Sequence, residues 1–306
     1  MSVIFFGTPD FAVPALRALI ASGEAVSLVV TRPDKLKGRG HKMTPPPVKV
    51  AALDAGIRVM QPVTLKDSAF VSELTAIKPE FIVVVAYGKI LPKSILELPA
   101  HGCINIHASL LPKYRGAAPI QWAIVNGEKR TGVTTMLIDE GLDTGHILLQ
   151  QGIDITDEDT AGSLWKRLSE MGASLLIETI KGMRDGSVEP MPQQGESSYA
   201  PIIKKGDGLI DWSKSALELF NFVRGMQPWP CAYCRINDEA VKILKAAPVE
   251  GKGEKGVIVK ASDGNLFVGT GHGLLSIIEL QPPGKRPMPA SAFIQGRRLK
   301  EGMSIL

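Results

Sequence analysis

The 306-residue sequence predicts an α/β protein, a doubly wound, Rossmann-like, mostly parallel sheet followed by a smaller β-barrel, OB-like by analogy alone. Three observations carry that expectation. Short apolar strands alternate with amphipathic helices through the first half, the pattern of βαβ units. One strand, Phe81-Ile82-Val83-Val84-Val85-Ala86, is an unbroken apolar run, as a parallel strand buried on both faces requires. Beyond Asp185 the pattern changes: after a linker and one helix come short strands separated by turn residues such as Ser262-Asp263-Gly264, which suits a small barrel or sandwich.

The elements follow in order. Residues 3–6 form a buried strand. Gly7-Thr8-Pro9-Asp10 then turns into a helix, with Thr8 as its N-cap and Pro9 at the first helical position. Val13, Leu16, Leu19 and Ile20 give that helix a core face, and Gly23 ends it. Residues 26–31 are the next strand, 32–47 a long polar loop, and 48–55 a helix stopped by Gly56. Further sheet strands are expected at 81–86, 102–106 and 131–138. Residues 185–195 are rich in Gly, Pro, Gln and Ser, as linkers are. A helix at 215–224 precedes strands at 231–236, 241–245, 256–261, 265–269 and 274–280. The chain is longer than one core usually fills. The division expected is a Rossmann-like domain over residues 1–186, a linker over 187–205 and a barrel over 206–306.

Composition excludes several classes. With 44% hydrophobic and 22% charged residues the chain is an ordinary globular one, not a disordered one. No apolar run approaches the ~18 residues of a membrane span. The first strand begins without a basic, then apolar, leader, so a cytoplasmic location is expected. Cys231 and Cys234 form a CxxC, but no second Cys or His pair accompanies them. Two ordinary apolar residues are therefore the better reading than zinc or redox chemistry. The net charge of +4 is unevenly placed. Fifteen of the 35 Lys and Arg and ten of the 31 Asp and Glu lie from Lys204 onward, leaving 20 and 21 before it. That asymmetry points to a polyanionic partner or to a solvated surface.

Three stretches carry the chemistry. Asn105 and His107 stand two apart near a strand end, so their side chains share a face. An amide donor beside an imidazole can hold an oxyanion developing on a carbonyl under attack; a strand end with polar residues facing solvent is the alternative. Asp143 lies on the turn Asp139-Glu140-Gly141-Leu142-Asp143-Thr144-Gly145 that follows a strand. A carboxylate there can orient His107 and relay a proton, or it can simply organise the turn. Residues 32–42 hold Arg32, Lys35, Lys37, Arg39, His41 and Lys42 among turn-forming Pro33, Gly38 and Gly40. Such a loop can track phosphates, or be a solvated linker. No GxGxxG, GxxxxGK[ST] or HExxH occurs, so dinucleotide, ATP and metalloprotease sites have no support.

The run from Cys103-Ile104-Asn105-Ile106-His107-Ala108-Ser109-Leu110-Leu111-Pro112 to Pro119 resembles the signature of the 10-formyltetrahydrofolate-dependent formyltransferases. Gly141-Leu142-Asp143-Thr144-Gly145 is similar to that family's second catalytic segment, and Phe6 to Ala12 and Val84 to Pro92 fit as well. The 38–49 loop, the segment Val223 to Ala232 and the C-terminal β-domain resemble the branch acting on methionyl-tRNA. The resemblance spans essentially the whole chain. It implies a catalytic trio of Asn105, His107 and Asp143. It implies folate contacts from Val85, Ala86, Tyr87, Gly88, Ile90 and Leu91, from Ser109, Leu110, Leu111 and Pro112, and from Ile138 and Asp139. It implies tRNA contacts from Arg32, Lys35, Lys37, Arg39, His41 and Lys42, with Lys204 and Lys205 at the start of the basic C-terminal third. The implied reaction moves the formyl group of 10-formyltetrahydrofolate, without a metal, to the α-amine of initiator methionyl-tRNA. A monomer is expected, since no long exposed apolar helix is evident. Two rivals stay open: a folate-dependent formyltransferase for an amino sugar or ribonucleotide amine, and a non-catalytic RNA-binding protein. A small acceptor would not need the basic loop, and a non-catalytic protein would not need the Asn105, His107 and Asp143 set.

Overall fold

The computed structural model describes residues 2–37, 42–297 and 299–305. In chain order the first elements are β1 (Val3–Gly7), α1 (Val13–Ala21), β2 (Val26–Val30), β3 (Lys35–Lys37), β4 (Lys42–Thr44) and α2 (Pro47–Asp54). Next come β5 (Val59–Met60), α3 (Ser68–Ile77), β6 (Phe81–Val85), α4 (Lys93–Leu96), β7 (Cys103–His107) and β8 (Arg115–Gly116). The middle of the chain forms α5 (Pro119–Val125), β9 (Arg130–Leu137), β10 (Ile147–Asp154), α6 (Ala161–Asp185) and β11 (Tyr199–Ala200). The last part holds α7 (Ala216–Gly225), β12 (Ala232–Ile236), β13 (Glu239–Val249), β14 (Ile258–Ser262), β15 (Asn265–Gly269), β16 (Leu274–Gln281), β17 (Met288–Pro289) and α8 (Ala290–Arg297).

These elements make two compact units that interleave along the chain. One comprises residues 1–116, 131–153 and 165–199, and the other 117–130, 154–164 and 200–306. In the first, seven strands are ordered β10-β9-β7-β6-β1-β2-β5. The five from β7 to β5 are parallel, and β9 joins β7 antiparallel. The expected mostly parallel, Rossmann-like sheet is present. Every residue of β1 and β6 is buried, as an apolar run flanked on both faces must be. Leu168, Leu175, Leu176 and Ile180 place an apolar stripe of α6 in the core. At Gly172 the helix comes so near the sheet that a Cβ would lie 2.8 Å from Ile106 Cγ2.

Local structure departs from the sequence reading in three places. Thr8 is not an N-cap; its hydroxyl donates to the Tyr87 carbonyl at 3.2 Å. A short 3₁₀ turn (Asp10–Ala12) intervenes, and Pro9 holds the cap position with no side-chain cap bond. Within the stretch expected as loop, β3 and β4 pair antiparallel with Leu36 opposite Met43. The 25-residue α6 fills a region for which no element was expected.

The second unit holds an antiparallel sheet ordered β12-β13-β16-β15-β14, with β17 on β16. Asn237 and Asp238 both take positive φ in the two-residue turn joining β12 to β13, as do Asp263 and Gly264 between β14 and β15. That geometry matches the right-handed twist of paired strands, which is why Asn, Asp and Gly occupy it. Helix α7 opens with a capping box in which Ser215 and Glu218 satisfy each other's backbone N–H groups. Its Leu219 and Val223 join Ile243, Leu266, Val268 and Leu275 in the core. The guanidinium of Arg224, on the same helix, donates to the carbonyls of Thr156 and Asp159 and to Asn221 Oδ1, which ties residues 154–164 to this unit.

Candidate active site

From β1 the chain crosses to β2 on one side, and from β6 to β7 on the other. Ligand sites in such sheets lie beyond the strand ends where the winding reverses. Gly7 and Val85 are paired at that level. Ala86 (φ 46°) and Gly88 (φ 79°) then bend the chain sharply away from the sheet. One strand further on, Asn105 pairs with Val84 on one side and Met136 on the other. Alternation along β7 sends Ile106 toward α6, and Asn105 and His107 to the opposite face. The Asn105 amide is half-buried and has no hydrogen-bond partner among the described residues.

His107 is 6% exposed, and its Nε2 lies 2.9 Å from the carbonyl oxygen of Tyr114. A carbonyl only accepts, so Nε2 carries a proton and Nδ1 is left for the site. Nδ1 faces Asp143 Oδ2 at 3.6 Å, longer than a hydrogen bond. The ring is therefore held by the loop carbonyl and only approached by the carboxylate. Asp143 Oδ2 accepts from the Gly116 N–H at 2.8 Å. His107 and Asp143 are thus both anchored on the 114–116 segment.

Asp143 reaches this position against the direction of its strand. Because β9 is antiparallel, with Ile104 opposite Leu137 and His107 opposite Thr134, it leaves the sheet level with the amino-terminal half of β7. The turn must fold back. It does so with Asp143 at φ 52°, a left-handed conformation uncommon outside glycine. Asp139 accepts from the Gly141 N–H and the Thr144 hydroxyl, so this carboxylate is occupied in shaping the turn. Gly145 packs so closely that a Cβ would meet the Leu137 carbonyl oxygen. From a distance in sequence, Gln193 donates to the carbonyls of Asp143 and Gly145 at 2.8 and 2.9 Å. It accepts from the Arg115 guanidinium at 2.7 Å. Ser198 accepts the Tyr114 N–H at 2.9 Å. Tyr114, Arg115, Gly116, Gln193 and Ser198 were not singled out from sequence. Tyr114, Arg115 and Gly116 lie within the signature run but act through backbone groups or on distant partners, and Gln193 and Ser198 lie outside any motif, so no role could be read for them.

Among the residues expected at folate, Ala86, Gly88, Ile90 and Asp139 are exposed, and Leu110, Pro112 and Ile138 half-buried. Val85, Tyr87, Leu91, Ser109 and Leu111 lie beneath the surface. The Tyr87 ring packs edge-on to Phe6 with centroids 5.2 Å apart. Burial pushes its phenol up to about 12. The Ser109 hydroxyl donates to the Lys113 carbonyl at 2.6 Å and so shapes its own loop. Of the basic residues expected at RNA, Lys35 is exposed on β3, while Lys37 and Lys42 sit on the paired strands of the hairpin. Arg32 is half-buried, its guanidinium 3.2 Å from where a Cβ on Gly88 would be. Arg39 and His41 lie outside the described residues. Lys204 and Lys205 are exposed in the second unit.

Thiol chemistry has no place here. Burial pushes the Cys103 thiol, at the start of β7, up to about 12, and raises Cys231 and Cys234 as well. Among the described residues no group of three or more His, Cys, Asp or Glu is arranged to hold a metal ion. The same residues include no helix long and apolar enough to cross a membrane. What remains is an unpartnered amide, an imidazole with one free nitrogen and a fixed carboxylate at the sheet edge. This set can polarise a carbonyl and move a proton.

A doubly wound sheet bearing a donor, a base and a carboxylate at residues 105–143 suits an enzyme that transfers a group at a carbonyl carbon. Residues 1–180 match the family model described as formyl transferase, and residues 202–298 that of the formyl transferase C-terminal domain. Over 301 residues the chain is 59% identical to the methionyl-tRNA formyltransferase of Thermodesulfovibrio yellowstonii, covering 98% of this chain and 97% of the relative. It is 50% identical over 306 residues to that of Pelotomaculum thermopropionicum, covering 99% and 98%. A solved sugar 3N-formyl transferase, crystallised in the presence of dTDP and 5-N-formyl-THF, shares the fold with a TM-score of 0.67 at 23% identity, covering 94% and 99%. The chain belongs to the methionyl-tRNA formyltransferase family.

Proposed function

We infer that this enzyme transfers the formyl group of 10-formyltetrahydrofolate to the α-amino group of initiator methionyl-tRNA. The observation that carries the mechanism is the pairing of a free Asn105 amide with a His107 ring whose Nε2 is already spent on Tyr114. The neutral amine attacks the formyl carbon, and a tetrahedral alkoxide forms. Asn105 donates to that alkoxide. The free Nδ1 of His107 takes the proton shed by the amine and, once protonated, donates to the alkoxide in turn. The Asp143 carboxylate stands 3.6 Å from that nitrogen and faces the ring while it carries the proton. The proton then passes to N10 of the folate, the C–N bond to the donor breaks and the formyl amide is left on the methionyl group. No covalent enzyme intermediate is needed.

The folate lies against Ala86, Gly88, Ile90, Leu110, Pro112, Ile138 and Asp139 in this reading, with the buried Val85, Tyr87, Leu91, Ser109 and Leu111 as support. Residues 1–116, 131–153 and 165–199 carry the chemistry in this reading, and the unit of residues 117–130, 154–164 and 200–306 contacts the tRNA; the segment expected as a linker, 187–205, is divided between the two. Lys35, Lys37 and Lys42 on the hairpin, with Arg32, Arg39, His41, Lys204 and Lys205, meet its phosphates. We read the protein as a cytoplasmic monomer, for which sedimentation at micromolar concentration is the check. The decisive assay supplies 10-formyltetrahydrofolate with initiator methionyl-tRNA, elongator methionyl-tRNA or a free amino sugar. Formylation confined to the initiator is expected. Transfer to the sugar alone would overturn the acceptor while leaving the oxyanion chemistry standing.

A further inference from the structure

We propose that Gln193, in the segment that reads as linker, is a positioning residue that sets the Asp143 carboxylate against His107. The argument rests on the role given to Asp143 above. Gln193 uses all of its hydrogen-bonding capacity at once. Its amide nitrogen donates to the Asp143 and Gly145 carbonyls at 2.8 and 2.9 Å. Its oxygen accepts from Arg115 Nε and Nη2 at 3.1 and 2.7 Å. One side chain thereby joins the turn that carries Asp143 to the loop whose Tyr114 carbonyl orients the His107 ring.

The segment around it is pinned at both ends to these same two pieces. Met191 and Ile147 exchange backbone hydrogen bonds at 2.8 and 2.9 Å, next to the turn. Ser198 accepts the backbone N–H groups of Tyr114 and Arg115, next to the loop. Asp143 needs such support. An aspartate tolerates φ 52° in a turn but does not by itself fix it, so its partners must hold it there. Gly116 fixes its carboxylate and Gln193 its carbonyl. Without Gln193 the peptide after Asp143 can relax, and the 3.6 Å approach to His107 relaxes with it. Gln193 touches neither reacting group, so its loss acts on kcat and leaves both KM values in place.

The test is a double-mutant cycle of Gln193→Ala with Asp143→Asn, read as kcat and KM for both substrates. Gln193→Ala is expected to lower kcat by about 10- to 100-fold, the scale of a misplacement near 1 Å. In the Asp143→Asn background the same change is expected to cost less than about twofold, because the group it positions is already lost. Multiplicative effects, or an effect confined to KM, would overturn the proposal. If Asp143→Asn alone leaves kcat intact, the role of Asp143 falls instead, and the two failures are told apart. Gln193→Glu covers the case in which the alanine variant does not fold. It keeps an acceptor for Arg115 and lacks both donors, so it is expected to melt near wild type yet lose kcat. A Gln193→Glu enzyme with wild-type kcat would refute the donor role outright.

Discussion

Replacing Asn105 by alanine separates catalysis from folding unusually well. The amide has no partner among the described residues, so its removal strands no buried donor or acceptor. The β7 ladder is made by backbone groups, and the neighbours Ile104 and Ile106 keep the strand buried. Stability is therefore expected to change by less than about 1 kcal/mol, the range of substitutions that break no named interaction. Catalysis should suffer far more. Losing one donor aimed at a developing alkoxide costs about 100- to 1,000-fold in kcat, roughly 3 to 4 kcal/mol. The assay is steady-state formylation with each substrate varied, joined to a single-turnover experiment so that product release does not mask chemistry. Asn105→Asp sharpens the test. It is close in shape, but it donates nothing and brings negative charge toward the alkoxide. It should be less active than Asn105→Ala. A loss confined to KM, a fall in kcat below about tenfold, or an aspartate variant more active than the alanine one would refute the oxyanion assignment.

Three further outcomes follow from the same structure. The two Glu80–Arg184 hydrogen bonds hold the Glu80 carboxyl below its usual range, and Glu80 is only 6% exposed. A carboxyl lowered on folding stabilises above the unfolded pKa, about 4.3, and that contribution fades as pH falls through the folded value. Arg184→Ala should flatten this acid-side slope and cost about 2 to 3 kcal/mol near neutrality, less than a fully buried pair because Arg184 is 30% exposed; urea unfolding from pH 3 to 7 reads both, and an unchanged slope contradicts the pairing. Affinity for tRNA should fall steeply with salt, and Lys35→Ala should lessen the log–log slope by about one; equal slopes for the two proteins would remove Lys35 from the phosphate contacts. Gly145→Ala would drive a methyl into the Leu137 carbonyl, so both melting temperature and kcat should drop; a variant with normal values for both would show that the turn has slack.

Much of this was legible in the sequence, for reasons that can be assigned. β6 announced itself because a strand covered on both faces has no polar positions to break its run. The share of one face by Asn105 and His107 followed from two-residue periodicity alone. The two-residue Asp263–Gly264 turn was recognisable because few residues accept positive φ. Other features were hidden for equally definite reasons. Helix α6 does carry a helical signal in the spacing of Leu164, Leu168, Leu175 and Ile180, although no element was expected there. Thr8 looked like a cap because caps are local, whereas its hydroxyl is claimed by Tyr87, 79 residues away. The antiparallel course of β9 depends on how the chain returns, which no window of residues encodes. The Tyr114 carbonyl and the Gln193 amide were invisible because one is a backbone atom and the other sits in what reads as filler.

The interleaving of the two units bears on how the molecule can be taken apart. Residues 117–130 and 154–164 belong with the C-terminal third, although they come before the linker in sequence. Trp122 donates its indole N–H to the Pro201 carbonyl, and a Cβ on Gly225 would meet Val125. Ile120 and Ile124 on the same helix are buried. A gene fragment stopping at residue 186 would thus produce a polypeptide with a sticky, half-finished flank, and one starting at residue 206 would lack two of the pieces it folds around. Fragments or fusions made by cutting at the linker should be poorly soluble on their own. Co-expression of the two halves is the route by which they should regain a common fold.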